Sequence, residues 1–158
     1  MKRHIISVTM SFLTVVIILL PASAFGQSIS GATGTGAGTF PANTTFSGVS
    51  ISGLQFSMGV FTPGDTTAAG QVVVTLLGTT VLGQPQNIEI EGDATTGAIN
   101  LDGSRTFSGT ARMDMGDGTP PLAALPFTVR ASLNTLLVTV GVSNLPLASL
   151  TAGSIIID

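Results

Sequence analysis

The sequence predicts an all-β fold: a single antiparallel β-sandwich or small barrel of about eight or nine short strands. Three observations lead there. Apolar residues recur at every second position: Leu54, Phe56, Met58 and Val60 alternate with Gln55, Ser57 and Gly59, and Phe107, Gly109, Ala111, Met113 and Met115 alternate with Ser108, Thr110, Arg112 and Asp114. A period of two puts one set on a buried face. Turn-forming Gly, Pro and Asp clusters separate these runs at intervals of roughly 8 to 12 residues. Finally, no window beyond the amino-terminal segment carries an i, i+3, i+4 apolar stripe with a cap, and glycine and β-branched residues are spread throughout, which disfavours helices.

Taken in order, residues 1–24 read as a cleaved secretory signal peptide. Lys2, Arg3 and His4 give a positive start, Ile5 to Leu20 an apolar stretch, and Pro21 its break, with Ala22-Ser23-Ala24 supplying the small residues of a cleavage site. The apolar run is short of the ~20 residues a spanning helix needs and is diluted by Ser7, Thr9, Ser11 and Thr14, so no membrane span is expected after cleavage. Residues 25–39, ending Gly31-Ala32-Thr33-Gly34-Thr35-Gly36-Ala37-Gly38, hold little apolar mass and read as a flexible Gly/Ser/Thr-rich leader. Gly34-x-Gly36 is not a nucleotide fingerprint, since no strand precedes it and no helix follows.

Residues 40–158 read as the all-β domain. Strands are expected over 46–51, 54–60, 71–77, 87–91, 98–101, 107–115, 127–131, 136–142 and 154–157. Turns are expected at Pro63-Gly64-Asp65, Gly83-Gln84-Pro85, Gly92-Asp93, Asp102-Gly103, Gly116-Asp117-Gly118 and Pro120-Pro121, with Asp102-Gly103 the strongest hairpin signal. Val72 to Leu77 and Leu136 to Val142 are nearly all apolar, as expected of strands that lie centrally with both faces covered or at a packed interface.

Composition narrows function. Past the signal the chain has no His, Cys, Lys, Trp or Tyr, because its one histidine and its lysine are His4 and Lys2. The usual nucleophiles, general bases and transition-metal ligands are therefore missing, and no Ser-His-Asp or Cys-His triad can be assembled. Arg105, Arg112 and Arg130 stand against eight acids, leaving about five net negative charges and no basic patch, so no nucleic-acid partner is expected. An exported chain without cysteine folds without disulfides.

The remaining chemistry lies in carboxylates. Glu89 and Glu91 sit two apart on one strand face with Asp93 nearly in line, side by side, unlike the acids of a hydrolase that flank a cleft. The expected arrangement is a solvated face relieved by Arg105, Arg112 or Arg130 across the sheet. Asp114-Met115-Gly116-Asp117-Gly118 resembles half a calcium loop, with Asp93 or Asp102 as further contributors, but lacks the D-x-D-x-D-G spacing, and aspartate before glycine is ordinary turn chemistry. Catalytic, cofactor-binding and metal-ligating residues are accordingly expected to be none. Asn43-Thr44-Thr45 matches a glycosylation acceptor in a polar turn. Self-association or strand addition to a protein partner is open to Leu136–Val140 or Ile155–Ile157 if either lies at an edge, and burial in the core is the alternative.

Thr106-Phe107-Ser108-Gly109-Thr110-Ala111-Arg112-Met113-Asp114-Met115-Gly116-Asp117-Gly118, then Pro126-Phe127-Thr128-Val129 and Ala152-Gly153-Ser154-Ile155-Ile156-Ile157, resembles the closing strands of small secreted bacterial β-sandwich modules, among them the post-coagulation-inhibitor-type domain. The chain departs from that pattern at Leu125-Pro126, where those modules have an Asp. The resemblance implies an exported β-module and brings no activity with it. The expectation is an exported, non-catalytic structural or binding module of the bacterial periplasm or cell surface, with a calcium-stabilised adhesion module and a carboxylate hydrolase as the alternatives.

Overall fold

The computed structural model describes residues 30–63 and 66–158; the signal segment, the first five residues of the expected leader and the Gly64-Asp65 turn lie outside them. Ten strands follow in order: β1 (Ser30–Thr39), β2 (Thr45–Phe46), β3 (Val49–Thr62), β4 (Thr67–Thr79), β5 (Ile88–Ile99), β6 (Arg105–Asp114), β7 (Leu122–Ala131), β8 (Thr135–Val140), β9 (Ser143–Asn144) and β10 (Ala148–Ile157). All belong to one antiparallel sheet. Because β1 pairs with β3 on one side and β10 on the other, the sheet closes on itself as β1-β3-β4-β5-β6-β7-β8-β10. Of the two forms the sequence allows, the barrel is the one adopted. Its eight long strands run up and down in chain order, while β2 and β9 are two-residue additions at the turns.

The alternation read from the sequence sets the wall's polarity. Leu54, Phe56, Met58 and Val60 on β3, Val72, Val74 and Leu76 on β4, Ile88 and Ile90 on β5, Phe107, Ala111 and Met113 on β6, and Leu136, Val138 and Val140 on β8 are all buried in one cluster. Removing this surface from water is the main favourable term in folding. Outward positions carry Ser50, Gln55, Ser57, Gln71, Glu91 and Arg112, all exposed. An apolar filling behind a polar outer wall is the reverse of a lipid-embedded barrel. Among the described residues no helix is long and apolar enough to cross a membrane.

Closing a small barrel requires tight curvature, and interior glycines beside phenylalanines provide it. A Cβ on Gly92 would stand 2.6 Å from Cζ of Phe127, and one on Gly36 would stand 3.0 Å from Cε1 of Phe56. Each ring fills the space its glycine leaves.

Several expectations change. Ser30–Thr39, expected within a flexible leader over residues 25–39, is a full strand and the stave that closes the ring, so the folded domain begins before Phe40. Its interior face is Ala32, Gly34, Gly36 and Gly38, which carry too little side chain to register as a buried face in sequence. Gly92-Asp93 is not a turn. The two strands expected on either side of it are one, β5, because Gly92 faces inward under Phe127. The run expected as a strand over 46–51 turns instead at Ser47 and Gly48, both with positive φ. Neither β4 nor β8 is covered on both faces: Val73, Leu77 and Leu137 point outward and are half-buried.

Candidate functional site

Side chains able to do chemistry fall into three groups. The first is the acid row of β5. Glu89, Glu91 and Asp93 are exposed on the convex outer wall. The register sets Arg112 opposite Glu91, with a contact of 3.4 Å, while Gln71 on β4 donates to Asp93 at 3.1 Å. Glu89 faces Asp114, so one like-charge pair remains. Relief of the row comes from Arg112 alone; Arg105 points into the barrel and Arg130 binds elsewhere.

The second group is the β6–β7 turn with Asp114 and Asp117, the two residues of the half calcium loop. Asp114 Oδ1 accepts the Gly116 amide at 2.9 Å, and Asp117 Oδ1 accepts the amide and hydroxyl of Thr119 at 2.9 and 2.6 Å. Each carboxylate folds back on its own turn. The Thr119 hydroxyl, then its amide, hold the Asp117 carboxyl below its ordinary value. Asp102 precedes β6 and Asp114 ends it, so a ten-residue strand separates them and Asp102 cannot share their site. Among the described residues no three acids or histidines are grouped to hold a metal ion.

The third group occupies the mouth bounded by the β5–β6 and β7–β8 connections and the end of β10. Gly103, with φ of 80°, lets the chain reverse between Asn100 and Ser104. That reversal places Asp102 so that its Oδ1 accepts the Ser104 amide at 3.1 Å and hydroxyl at 2.7 Å, while Oδ2 accepts Arg130 Nη2 at 2.5 Å. Ser104 Oγ also accepts from Arg130 Nε and Asn100 Nδ2, both at 2.9 Å. The Ser104 hydrogen bonds foremost, with the Arg130 guanidinium, hold the Asp102 carboxyl below its ordinary value against the opposing effect of desolvation. A carboxylate so stabilised is a weaker base, and a buried hydroxyl with this many partners is poorly placed to attack.

Beside this network lies an open groove of about 550 Å³, lined by Asp102, Gly103, Ser104, the β7–β8 hairpin from Ser132 to Thr135, and Ile157. Arg105 seals the floor next to it: Nη2 donates to the Asp158 main-chain oxygen at 2.6 Å, Nη1 to the Gly103 oxygen at 3.2 Å and Nε to the Ser30 hydroxyl at 3.3 Å. Periodicity gives the inward parity of Arg105 but no hint of its partners, which lie 53 and 75 residues away in sequence.

Of the two apolar runs considered for association, Leu136–Val140 is internal: β8 pairs with β7 along five residues, and Leu136, Val138 and Val140 are buried. Ile155–Ile157 does lie at an edge. β10 meets β8 at Ala148↔Leu136 and Ser149↔Thr135, plus the Leu150 amide on the Asn134 oxygen; beyond that, among the described residues, β1 is its sole strand partner.

The outer wall is electrically two-sided. Among the described strand residues, every outward charge belongs to β5, β6 or β7, while β8, β10, β1, β3 and β4 present Thr, Ser, Gln, Gly, Ala and scattered apolar residues. Comparisons with protein-family models, with curated proteins and with solved structures found no match to this chain.

Proposed function

We propose that this protein is an exported, non-catalytic structural or binding module of the bacterial periplasm or cell surface. One observation carries the reading. The barrel interior is filled with apolar side chains, and the strand and turn acids among the described residues lie along the convex wall, fold back on their own turns, or pair with Arg130. A carboxylate hydrolase needs two acids converging in a concave pocket, and Asp102 is the single acid lining the groove among the described residues. A calcium site needs several convergent oxygens, whereas Asp114 and Asp117 each turn back on a neighbouring residue. What such a molecule offers a partner is its surface: an uncharged half-wall and a strand edge. The amino-terminal sequence and the resemblance to secreted β-modules support export.

Fractionation of cells producing the full chain tests the reading. The expected result is a product outside the cytoplasm that begins at Phe25. Recovery of the intact chain from the cytoplasm, starting at Met1, would contradict it.

A further inference from the structure

We infer that the free edge of β10 pairs antiparallel with the same edge of a second copy of this chain, with Ile156 of each copy on the two-fold axis. The inference names the partner of the structural module proposed above and rests on that reading. Gly31 and Asp158 exchange both main-chain hydrogen bonds, at 3.3 and 3.2 Å. In an antiparallel pair such exchange recurs at every second residue, so Ile156 bonds Thr33 on β1, and the amides and carbonyls of Ile155 and Ile157 point away from β1. No described strand meets them there. The edge instead forms one side of the 550 Å³ groove, with the hairpin Ser132–Thr135 opposite, which leaves space for another strand.

The edge is suited to a copy of itself. Set antiparallel about Ile156, the Ile155 of one chain meets the Ile157 of the other, and two such pairs satisfy all four exposed amides and carbonyls. Ile156, 56% exposed, then packs on its symmetry mate as a close, non-hydrogen-bonded pair. The edge has little protection from this: its one charge, Asp158, comes after the paired stretch and falls opposite Ser154 of the other copy, Ser154 to Ile157 has no lysine, proline or charge, and its bulge at Thr151 and left-handed Gly153 lie before the regular stretch. An acidic chain repels its own copies, yet the walls flanking β10, on β1 and β8, carry no charge, and the acid row lies on β5.

The chain has no cysteine, so a single introduced thiol reports the geometry directly. In the full-length protein as the cell produces it, Ile156→Cys is expected to form a disulfide-linked dimer under mild oxidation, while Ser57→Cys, exposed on β3, stays monomeric. Light scattering at up to about 1 mM, where a small interface is populated, should give twice the single-chain mass, and Ile156→Lys should halve it with an unchanged circular dichroism spectrum. A single-chain mass throughout, or equal cross-linking at positions 156 and 57, would overturn the pairing. That covers the case in which another protein or an earlier part of the chain occupies the edge. Neither result depends on where the protein is found, so a failure of export is distinguishable from a failure of pairing.

Discussion

Arg105 Nη2 donates to the main-chain oxygen of Asp158 at 2.6 Å, joining the first residue of β6 to the residue that follows β10. Through Nε on Ser30 the same guanidinium holds the start of β1, so one buried cation ties together the two strands at the barrel's seam. Removing it leaves main-chain oxygens of Gly103 and Asp158 without this donor. Arg105→Leu is expected to lower stability by about 2 to 3 kcal/mol and the melting midpoint by about 10 °C, the cost of hydrogen bonds to a charged group. Thermal unfolding followed by circular dichroism checks this. A midpoint within experimental error of the parent would show that the seam does not depend on Arg105.

Gly92 and Phe127 supply a second expectation. A methyl at Gly92 has the ring of Phe127 at 2.6 to 2.9 Å, so Gly92→Ala is expected to cost about 1 to 3 kcal/mol by overpacking. The double variant with Phe127→Leu should recover part of that loss, because the coupled pair shares one space. Gly59, on the outer face of β3 with nothing within 4 Å of its would-be Cβ, makes the contrast: Gly59→Ala should be neutral or stabilising by up to about 1 kcal/mol. Urea titrations of the four proteins measure the difference.

Asp102 titrates below its ordinary value, with the Ser104 hydroxyl as the largest cause. A depressed carboxyl contributes stability that is present above the unfolded-state value and lost as pH falls through the folded value. Ser104→Ala should therefore raise the Asp102 midpoint more than Arg130→Gln does, as read from side-chain carboxyl shifts in an NMR titration. The reverse order would mean that the ion pair governs this acid.

Asp114 and Asp117 each accept hydrogen bonds from within their own turn, so neither is poised for a cation. The melting midpoint in calcium should coincide with that in chelator, and Asp117→Asn should leave this insensitivity unchanged. A calcium-dependent rise abolished by Asp117→Asn would restore the calcium reading.

The fold class was legible because burial in a closed barrel is one-sided: an inward residue must be apolar and its neighbours need not be, and β3 and β6 write that rule plainly. The same rule hid β1. Its inward residues are Ala32, Gly34, Gly36 and Gly38; a Cβ at Gly36 would meet the ring of Phe56, and one at Gly34 or Gly38 the β10 main chain at Ser154 or Ser149, and a strand of small residues has the composition of a linker. Its period of two survived only in the outward threonines at 33, 35 and 39. Gly92 misled for a related reason: a glycine before an aspartate makes a turn in isolation, and only Phe127, 35 residues later, explains why the strand continues. The Arg130–Asp102–Ser104 network was beyond reach, since cross-strand register decides which arginine meets which acid.

Ser30–Thr39 is a stave of a closed, filled barrel, and hydrogen exchange of the β1 amides is the measurement on which that placement stands or falls. With β10 on one side and β3 on the other, amides from Gly31 to Thr39 should exchange as slowly as those of Val72 and Val74 in β4. Exchange of these amides at the rate of an unstructured peptide, with β4 still protected, would contradict the closed barrel.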